Sequence, residues 1–118
     1  MGITNIKLKV KNPESPKKFY ESEFMVDSGA TFTVVPDKEL KKIGIKPVRK
    51  ETFSLADGKV IKRKVGNALF EYRGIEAAAP VMFGEKGDSE LLGIFTLEAL
   101  GLSLDPLKRE LYKATLRL

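Results

Sequence analysis

The sequence contains no cysteine, no histidine and no tryptophan. Without cysteine there is no disulfide scaffold, and without cysteine or histidine the common zinc sites cannot form. Serine–histidine and cysteine–histidine catalysis are excluded for the same reason. General acid or base chemistry is left to carboxylates, lysine or tyrosine. We therefore expect a protein that needs no metal and no cofactor.

The sequence also lacks a long hydrophobic run. The longest apolar stretch, residues 77–83, is interrupted by Pro80 and is far shorter than the roughly 20 residues of a membrane helix. Residues 1–10 contain no apolar run of the signal-peptide type. No membrane partner is expected, and the absence of cysteine fits a cytoplasmic location.

What remains is enough for one folded domain. The chain has 118 residues, 42% of them hydrophobic, which predicts a single domain over residues 1–118 with a core of its own. The net charge is +5, but basic residues occur along the whole chain and are mixed with acids. No aromatic ladder accompanies them, so a solvated surface is favoured over a nucleic-acid site. A basic β-barrel that binds nucleic acid is kept as a separate hypothesis, tested by salt-dependent affinity.

Alternating and β-branched segments predict a mostly β protein. Residues 3–10 alternate apolar and lysine side chains, which is typical of a half-buried strand, and residues 110–118 form a final alternating strand. About eight short strands are predicted, with one or two short helices at residues 36–44 and 95–100. This pattern favours a closed barrel or a sandwich.

One hairpin is predicted with its turn. Strand-like residues 53–55 and 60–65 flank Ala56, Asp57 and Gly58. Asp-Gly between such runs indicates a type I′ turn, in which both central residues have positive φ. Residues 67–72 and 75–83 are predicted as further separate strands.

The strongest chemical signal is Asp27-Ser28-Gly29-Ala30, directly after the apolar residues 24–26. A buried strand end gives a carboxylate a rigid base, and glycine lets the chain turn sharply. The small Ala30 allows another chain to approach. The alternative is an ordinary Asx-type turn after a core strand. A second segment, Leu91-Leu92-Gly93 followed by a short helix, repeats the same layout of apolar strand, glycine turn and helix.

These two motifs resemble those of the retropepsin-like aspartic proteases, of which the retroviral proteases are familiar members. Asp27-Ser28-Gly29-Ala30 matches the family's Asp-Ser/Thr-Gly-Ala motif. Leu91-Leu92-Gly93 matches the two hydrophobic residues and glycine that precede its C-terminal helix. The resemblance extends over residues 3–116 and implies a closed barrel of the acid-protease type.

The resemblance implies an aspartic endopeptidase that acts as a homodimer. Such enzymes need two carboxylates that share one proton, one acting as general base on water and the other as general acid. Only one Asp-Ser-Gly occurs in the sequence, so Asp27 of a second copy is expected to supply the other carboxylate. The terminal strands, residues 3–10 and 110–118, are candidate interface strands. Substrates are expected to be extended polypeptide segments.

The remaining site residues have roles that follow from the same resemblance. Ser28 is expected to brace the two catalytic loops across the dimer. The hairpin tip at Ala56, Asp57 and Gly58 corresponds to the flap that closes over substrate, although an ordinary surface hairpin fits equally well. Leu91, Leu92 and Gly93 are expected to support the catalytic loop from beneath. Candidate pocket walls, each of which also fits the core, are Val34, Val35, Ile94 and residues 81–83. The main alternative function is a catalytically silent module of the same fold, used for dimerisation or protein binding.

Overall fold

The computed structural model describes residues 3–117. The predicted single domain includes Met1, Gly2 and Leu118, which lie outside the described residues. Along the described chain the elements are β1 (Asn5–Asn12), β2 (Ser15–Val26), β3 (Thr33–Pro36), α1 (Asp37–Lys42), β4 (Arg49–Ser54), β5 (Val60–Tyr72), β6 (Ile75–Gly84), β7 (Leu91–Leu92), α2 (Ile94–Ala99), β8 (Leu102–Asp105) and β9 (Glu110–Lys113). The predicted mostly β class, with two short helices, is confirmed.

Seven of these strands form one sheet in the order β1-β2-β7-β3-β6-β5-β4, and β8 pairs with β9 in a second sheet. Residues 9–11 of β1 also pair with residues 69–71 of β5. This pairing joins strands that lie far apart in the sheet order, and closure into a complete barrel stays a prediction. β7 lies between β2 and β3, which are consecutive in the chain. The loop that connects them must therefore pass the end of β7.

The core follows the alternation read from the sequence. In β1, Ile6, Leu8 and Val10 are buried, while the lysines between them point outward. Large side chains from the other strands complete the interior, among them Phe24, Phe70, Phe83 and Leu92. Full burial of such a side chain stabilises the fold by about 2 kcal/mol. The amphipathic strands therefore fix which face of each strand points inward.

Both helices have the ends that the sequence predicts. α1 follows Pro36, carries Asp37 in its first turn, and is followed by Gly44 at φ +83°. α2 is followed by Gly101 at φ +70°. Glycine adopts this left-handed conformation without a steric penalty, and the helices end there for that reason.

The predicted type I′ turn at Asp57-Gly58 is wrong. Only Gly58 has positive φ, and the turn is closed by Gly58 N–H donating to the Leu55 carbonyl oxygen at 3.0 Å. The turn between β5 and β6 has the I′ character instead, since Arg73 (φ 48°) and Gly74 (φ 83°) are both left-handed. Asp-Gly thus signals a hairpin correctly, while its loop length decides the turn type.

The sequence predicts separate strands over residues 60–65 and 67–72, but β5 runs continuously through Gly66. A Cβ atom at this glycine would lie 2.9 Å from the Lys46 carbonyl oxygen. Glycine here permits the close approach of another backbone and does not mark a turn.

Candidate active site

The loop that carries Asp27 is fixed by backbone hydrogen bonds to the segment after β7. Asp27 N–H donates to the Leu92 carbonyl oxygen at 3.0 Å, and Ile94 N–H donates to the Ala30 carbonyl oxygen at 2.8 Å. Phe95 N–H donates to the Thr31 carbonyl oxygen at 3.2 Å. Both ends of the loop are therefore tied to β7 and α2. The structure brings the two sequence motifs into direct contact.

Gly93 lies against the backbone of the same loop. A Cβ atom at this position would be 2.5 Å from the Phe32 carbonyl carbon and 2.6 Å from its oxygen. No larger residue can occupy the position unless one backbone moves. Leu92 is fully buried, and Leu91 is half-buried beside it. This placement beneath the loop explains why two apolar residues and a glycine occur together.

Two buried threonines brace the site, and the sequence analysis missed them. The hydroxyls of Thr33 and Thr96 are 2.6 Å apart, and Thr33 Oγ1 accepts the Gly93 N–H at 3.0 Å. Both side chains are fully buried. In a buried setting each hydroxyl needs a partner, and these two residues satisfy one another. The available signal was a threonine next to apolar residues, Val34 in β3 and Phe95 and Leu97 in α2.

The Asp27 side chain is half-buried at the surface of this arrangement. Its Oδ1 accepts the Gly29 N–H at 2.9 Å, and its carbonyl oxygen accepts the Ala30 N–H at 3.1 Å. The predicted Asx-type turn is therefore present, and the same turn orients the carboxylate. Ser28 and Gly29 are exposed, so their outer surface is open to another chain.

An aromatic cluster joins the loop to its neighbours. The ring of Phe32 lies 5.7 Å from that of Phe53 in β4 and 5.4 Å from that of Phe95 in α2. Edge-on and tilted contacts of this kind are favourable for aromatic rings. The cluster connects the hairpin to the Asp27 loop. The order of residues does not indicate it, because the three residues are far apart in the chain.

The predicted flap residues lie at the exposed tip of the β4–β5 hairpin. Ala56, Asp57 and Gly58 are all exposed, and Asp57 Oδ1 accepts the Lys59 N–H at 2.9 Å. Most of the predicted pocket-wall residues lie in the buried core. Ile94 is half-buried, whereas the buried core includes Val34, Val35 and residues 81–83.

The other aspartates have structural surroundings. Hydrogen bonding to Lys41 is the largest cause that lowers the pKa of Asp37, and hydrogen bonding to Arg63 lowers the pKa of Asp88. Asp105 Oδ1 accepts backbone N–H groups at 3.0 and 3.1 Å in the turn after β8. Asp37 thus lies in the first turn of α1, Asp88 in the loop before β7, Asp105 in the turn after β8 and Asp57 at the hairpin tip.

Within residues 3–117, no group of three or more acidic side chains is arranged to hold a metal ion. The helices of that part of the chain are too short and too polar to cross a membrane. The candidate site is the Asp27 carboxylate, which is partly open to solvent and lies on a loop held by hydrogen bonds to β7 and α2.

Comparison with known proteins agrees with this geometry. The family model described as "gag-polyprotein putative aspartyl protease" matches residues 19–99. Among solved structures, the simian foamy virus (mac) protease is similar in fold, with a TM-score of 0.51 and 22% identity. The match covers 79% of this chain and 92% of the viral chain. A search of curated proteins gave no match.

Proposed function

Because the chain belongs to the retropepsin-like aspartic protease family, we propose that it is an endopeptidase in which Asp27 of two identical subunits forms the catalytic dyad. One carboxylate takes a proton from water while the other protonates the scissile carbonyl oxygen. Water then attacks the carbonyl carbon, and the amide bond breaks after proton transfer to its nitrogen. No metal or cofactor takes part.

The observation that carries this proposal is the fixed position of the Asp27 loop. Backbone bonds to Leu92 and Ile94 hold it from both sides, and Gly93 contacts it directly. A catalytic carboxylate needs such a rigid support, because small displacements of a reacting group cost much of the rate. Ser28 lies beside it and is exposed, and we expect its hydroxyl to hydrogen-bond to the second subunit.

The second subunit is required by the count of carboxylates. The sequence has one Asp-Ser-Gly motif, and the other four aspartates have the structural surroundings described above. A two-fold axis beside the loop would bring two copies of Asp27 together. The substrate would bind as an extended strand between the subunits, beneath the β4–β5 hairpins.

We propose that the C-terminal strand, and not the N-terminal strand, forms the interface. β1 is paired with β2 along its length and with β5 at residues 9–11. Within residues 3–117, β9 pairs with β8 alone, and apolar side chains around it are exposed, with Tyr112 at 53% and Leu116 at 72%. A strand with one free edge and exposed apolar side chains is suited to pairing with a second copy.

The test is cleavage of an unfolded protein from about pH 3 to about pH 7 by the wild type and by Asp27→Asn. We expect cleavage by the wild type and none by the variant, which should keep its circular dichroism spectrum. Asp105→Asn is the matched control, because asparagine can still accept the two turn hydrogen bonds. It should cleave like the wild type.

Mixing the two proteins tests the shared dyad. If each active site needs two copies of Asp27, an equal mixture of wild type and Asp27→Asn retains about a quarter of the activity at the same total concentration. When the two proteins are unfolded and refolded together, so that subunits are exchanged, retention of about half would show that each subunit acts alone. Cleavage by pure Asp27→Asn would remove Asp27 from the mechanism. A folded dimer that cleaves nothing would support the silent binding module instead.

A further inference from the structure

One stretch of the chain accounts for its whole net positive charge. Residues 46–65 contain seven lysine and arginine residues against two acidic residues, a charge of +5. The whole chain also carries +5, so everything outside this stretch is neutral overall. Basic residues do occur along the whole chain, but outside this stretch acidic residues match them in number. The charged stretch comprises residues 46–48, β4, the hairpin tip and the first half of β5.

Strand register places three of these lysines on one face. Lys50 lies opposite Lys64, and Thr52 lies opposite Lys62. Residues directly opposite one another share a face of the sheet, so we name the surface formed by Lys50, Lys62 and Lys64 the basic face. Phe53 alternates to the other side, where it contacts the catalytic loop.

The charges of the basic face are only partly balanced. Lys64 pairs with Asp37 at 3.2 Å. Lys50 and Lys62 are exposed, and within residues 3–117 neither forms a salt bridge. Like charges on adjacent strands repel one another, and at this spacing, well within the Debye length, their fields add. This repulsion lowers the stability of the fold, and an anionic partner bound at the basic face would relieve it.

The basic face borders a free sheet edge. β4 is the last strand in the sheet order, so one side of its backbone pairs with no other strand among residues 3–117. An extended peptide can add to such an edge through main-chain hydrogen bonds. The basic face has no aromatic side chain on which a base could stack, as single-stranded nucleic-acid sites do. These features fit an acidic polypeptide.

We propose that the basic face and the free edge of β4 bind an acidic segment of the polypeptide substrate, outside the catalytic cleft. This proposal rests on the proposed function, since it assigns the segment to the substrate. Phe53 links the same strand to Phe32 in the catalytic loop. A segment docked on the outer side of the hairpin would therefore be held close to the catalytic loop without occupying it.

Binding is measured on the Asp27→Asn protein, so that the result does not depend on cleavage. The probe is a fluorescent glutamate-rich peptide of about ten residues, with a glutamine-rich peptide as its neutral counterpart. We expect the acidic peptide alone to bind, and more weakly at about 0.3 M than at about 0.05 M salt. Lys50→Glu/Lys62→Glu should lower its affinity roughly fivefold, because exposed ion pairs contribute little each.

The matched control is Lys17→Glu/Lys18→Glu, which changes the net charge equally at two exposed positions of β2. It should bind like the parent. Lys50→Arg/Lys62→Arg keeps the charge and should also bind, which separates loss of binding from loss of folding. Equal losses in both glutamate variants, or no loss in either, would overturn the proposal.

Two further results would also overturn it. If a single-stranded oligonucleotide of equal charge displaces the peptide, the face is a nucleic-acid site. If neither probe binds, the lysines only protect the β4 edge from pairing with other chains.

In the active protein, a glutamate-rich extension of a cleaved peptide should lower KM while leaving kcat nearly unchanged. Binding without any cleavage would retain the basic face as a binding site and remove the proposed enzyme.

Discussion

The Asp27 loop and the β4–β5 hairpin differ in what surrounds them. The loop is held by backbone bonds to Leu92 and Ile94 and by direct contact with Gly93. The hairpin tip is exposed, and a Cβ atom added at Gly58 would meet nothing within 4 Å. One region has little freedom to move, and the other has few contacts to restrain it. This contrast suits a fixed carboxylate beneath a mobile cover.

The largest expected effect compares one glycine from each region. Gly93→Ala should lower the free energy of unfolding by about 3 kcal/mol, because the new methyl group collides with the Phe32 backbone. Gly58→Ala should cost about 1 kcal/mol, from its left-handed backbone alone. Urea unfolding of both variants measures the difference. Equal losses would show that the loop is no more constrained than the hairpin.

A smaller effect is expected from the buried threonine pair. Thr33→Val removes the acceptor of the Gly93 N–H and the partner of Thr96, so it should cost about 2 kcal/mol. Thr52→Val, at an exposed position of β4, should change stability by less than about 0.5 kcal/mol. Thermal unfolding checks both variants.

The double variant Thr33→Val/Thr96→Val sharpens this test. Each single substitution breaks the same hydroxyl–hydroxyl bond, so the combined loss should be smaller than the sum of the two single losses. Additive losses would mean that the two hydroxyls do not depend on one another.

The smallest effect concerns the base of the hairpin and depends on pH. Arg63 Nε donates to Asp88 Oδ2 at 2.8 Å, and this bond lowers the pKa of Asp88 below its ordinary value of 3.8. The carboxylate therefore adds stability that is fully present well above pH 3.8 and is lost as the pH falls through the folded-state pKa. Asp88→Asn should cost about 1 kcal/mol at neutral pH, since the pair is partly screened by solvent.

As the pH falls below 3.8 and through the lowered folded-state pKa of Asp88, the variant and the wild type should converge in stability, because the wild-type carboxylate becomes protonated. Asp57→Asn at the exposed tip is the control and should show little difference at any pH. Denaturant unfolding at several pH values gives both curves. A constant gap between Asp88→Asn and the wild type would mean that packing, and not charge, holds the hairpin base.

Much of the fold can be read from local patterns. Alternation in β1 predicts which side chains are buried, and Gly44 and Gly101 predict where the helices end. The Asp27 and Gly93 motifs are recognisable from residue order alone. Each of these features depends on neighbours within a few residues, so the order of residues is sufficient to indicate it.

The sequence is less informative wherever a residue's role depends on a distant partner. Gly66 resembles a break between strands, although it admits a neighbouring backbone. Thr33 and Thr96 lie 63 residues apart and meet through a hydrogen bond. The basic face requires the β4–β5 register, which places Lys50 opposite Lys64. No local pattern specifies such pairings.

The class of fold, the Asp27 motif and the number of such motifs are set by residue type and local spacing, so the order of residues indicates them. Only the three-dimensional fold shows that β7 enters between β2 and β3 and that Gly93 meets the Asp27 loop. It also places three lysines of the positively charged stretch on one face of the β4–β5 hairpin. These features follow from long-range strand pairing, in which burial of the whole core selects one arrangement among many that are locally acceptable.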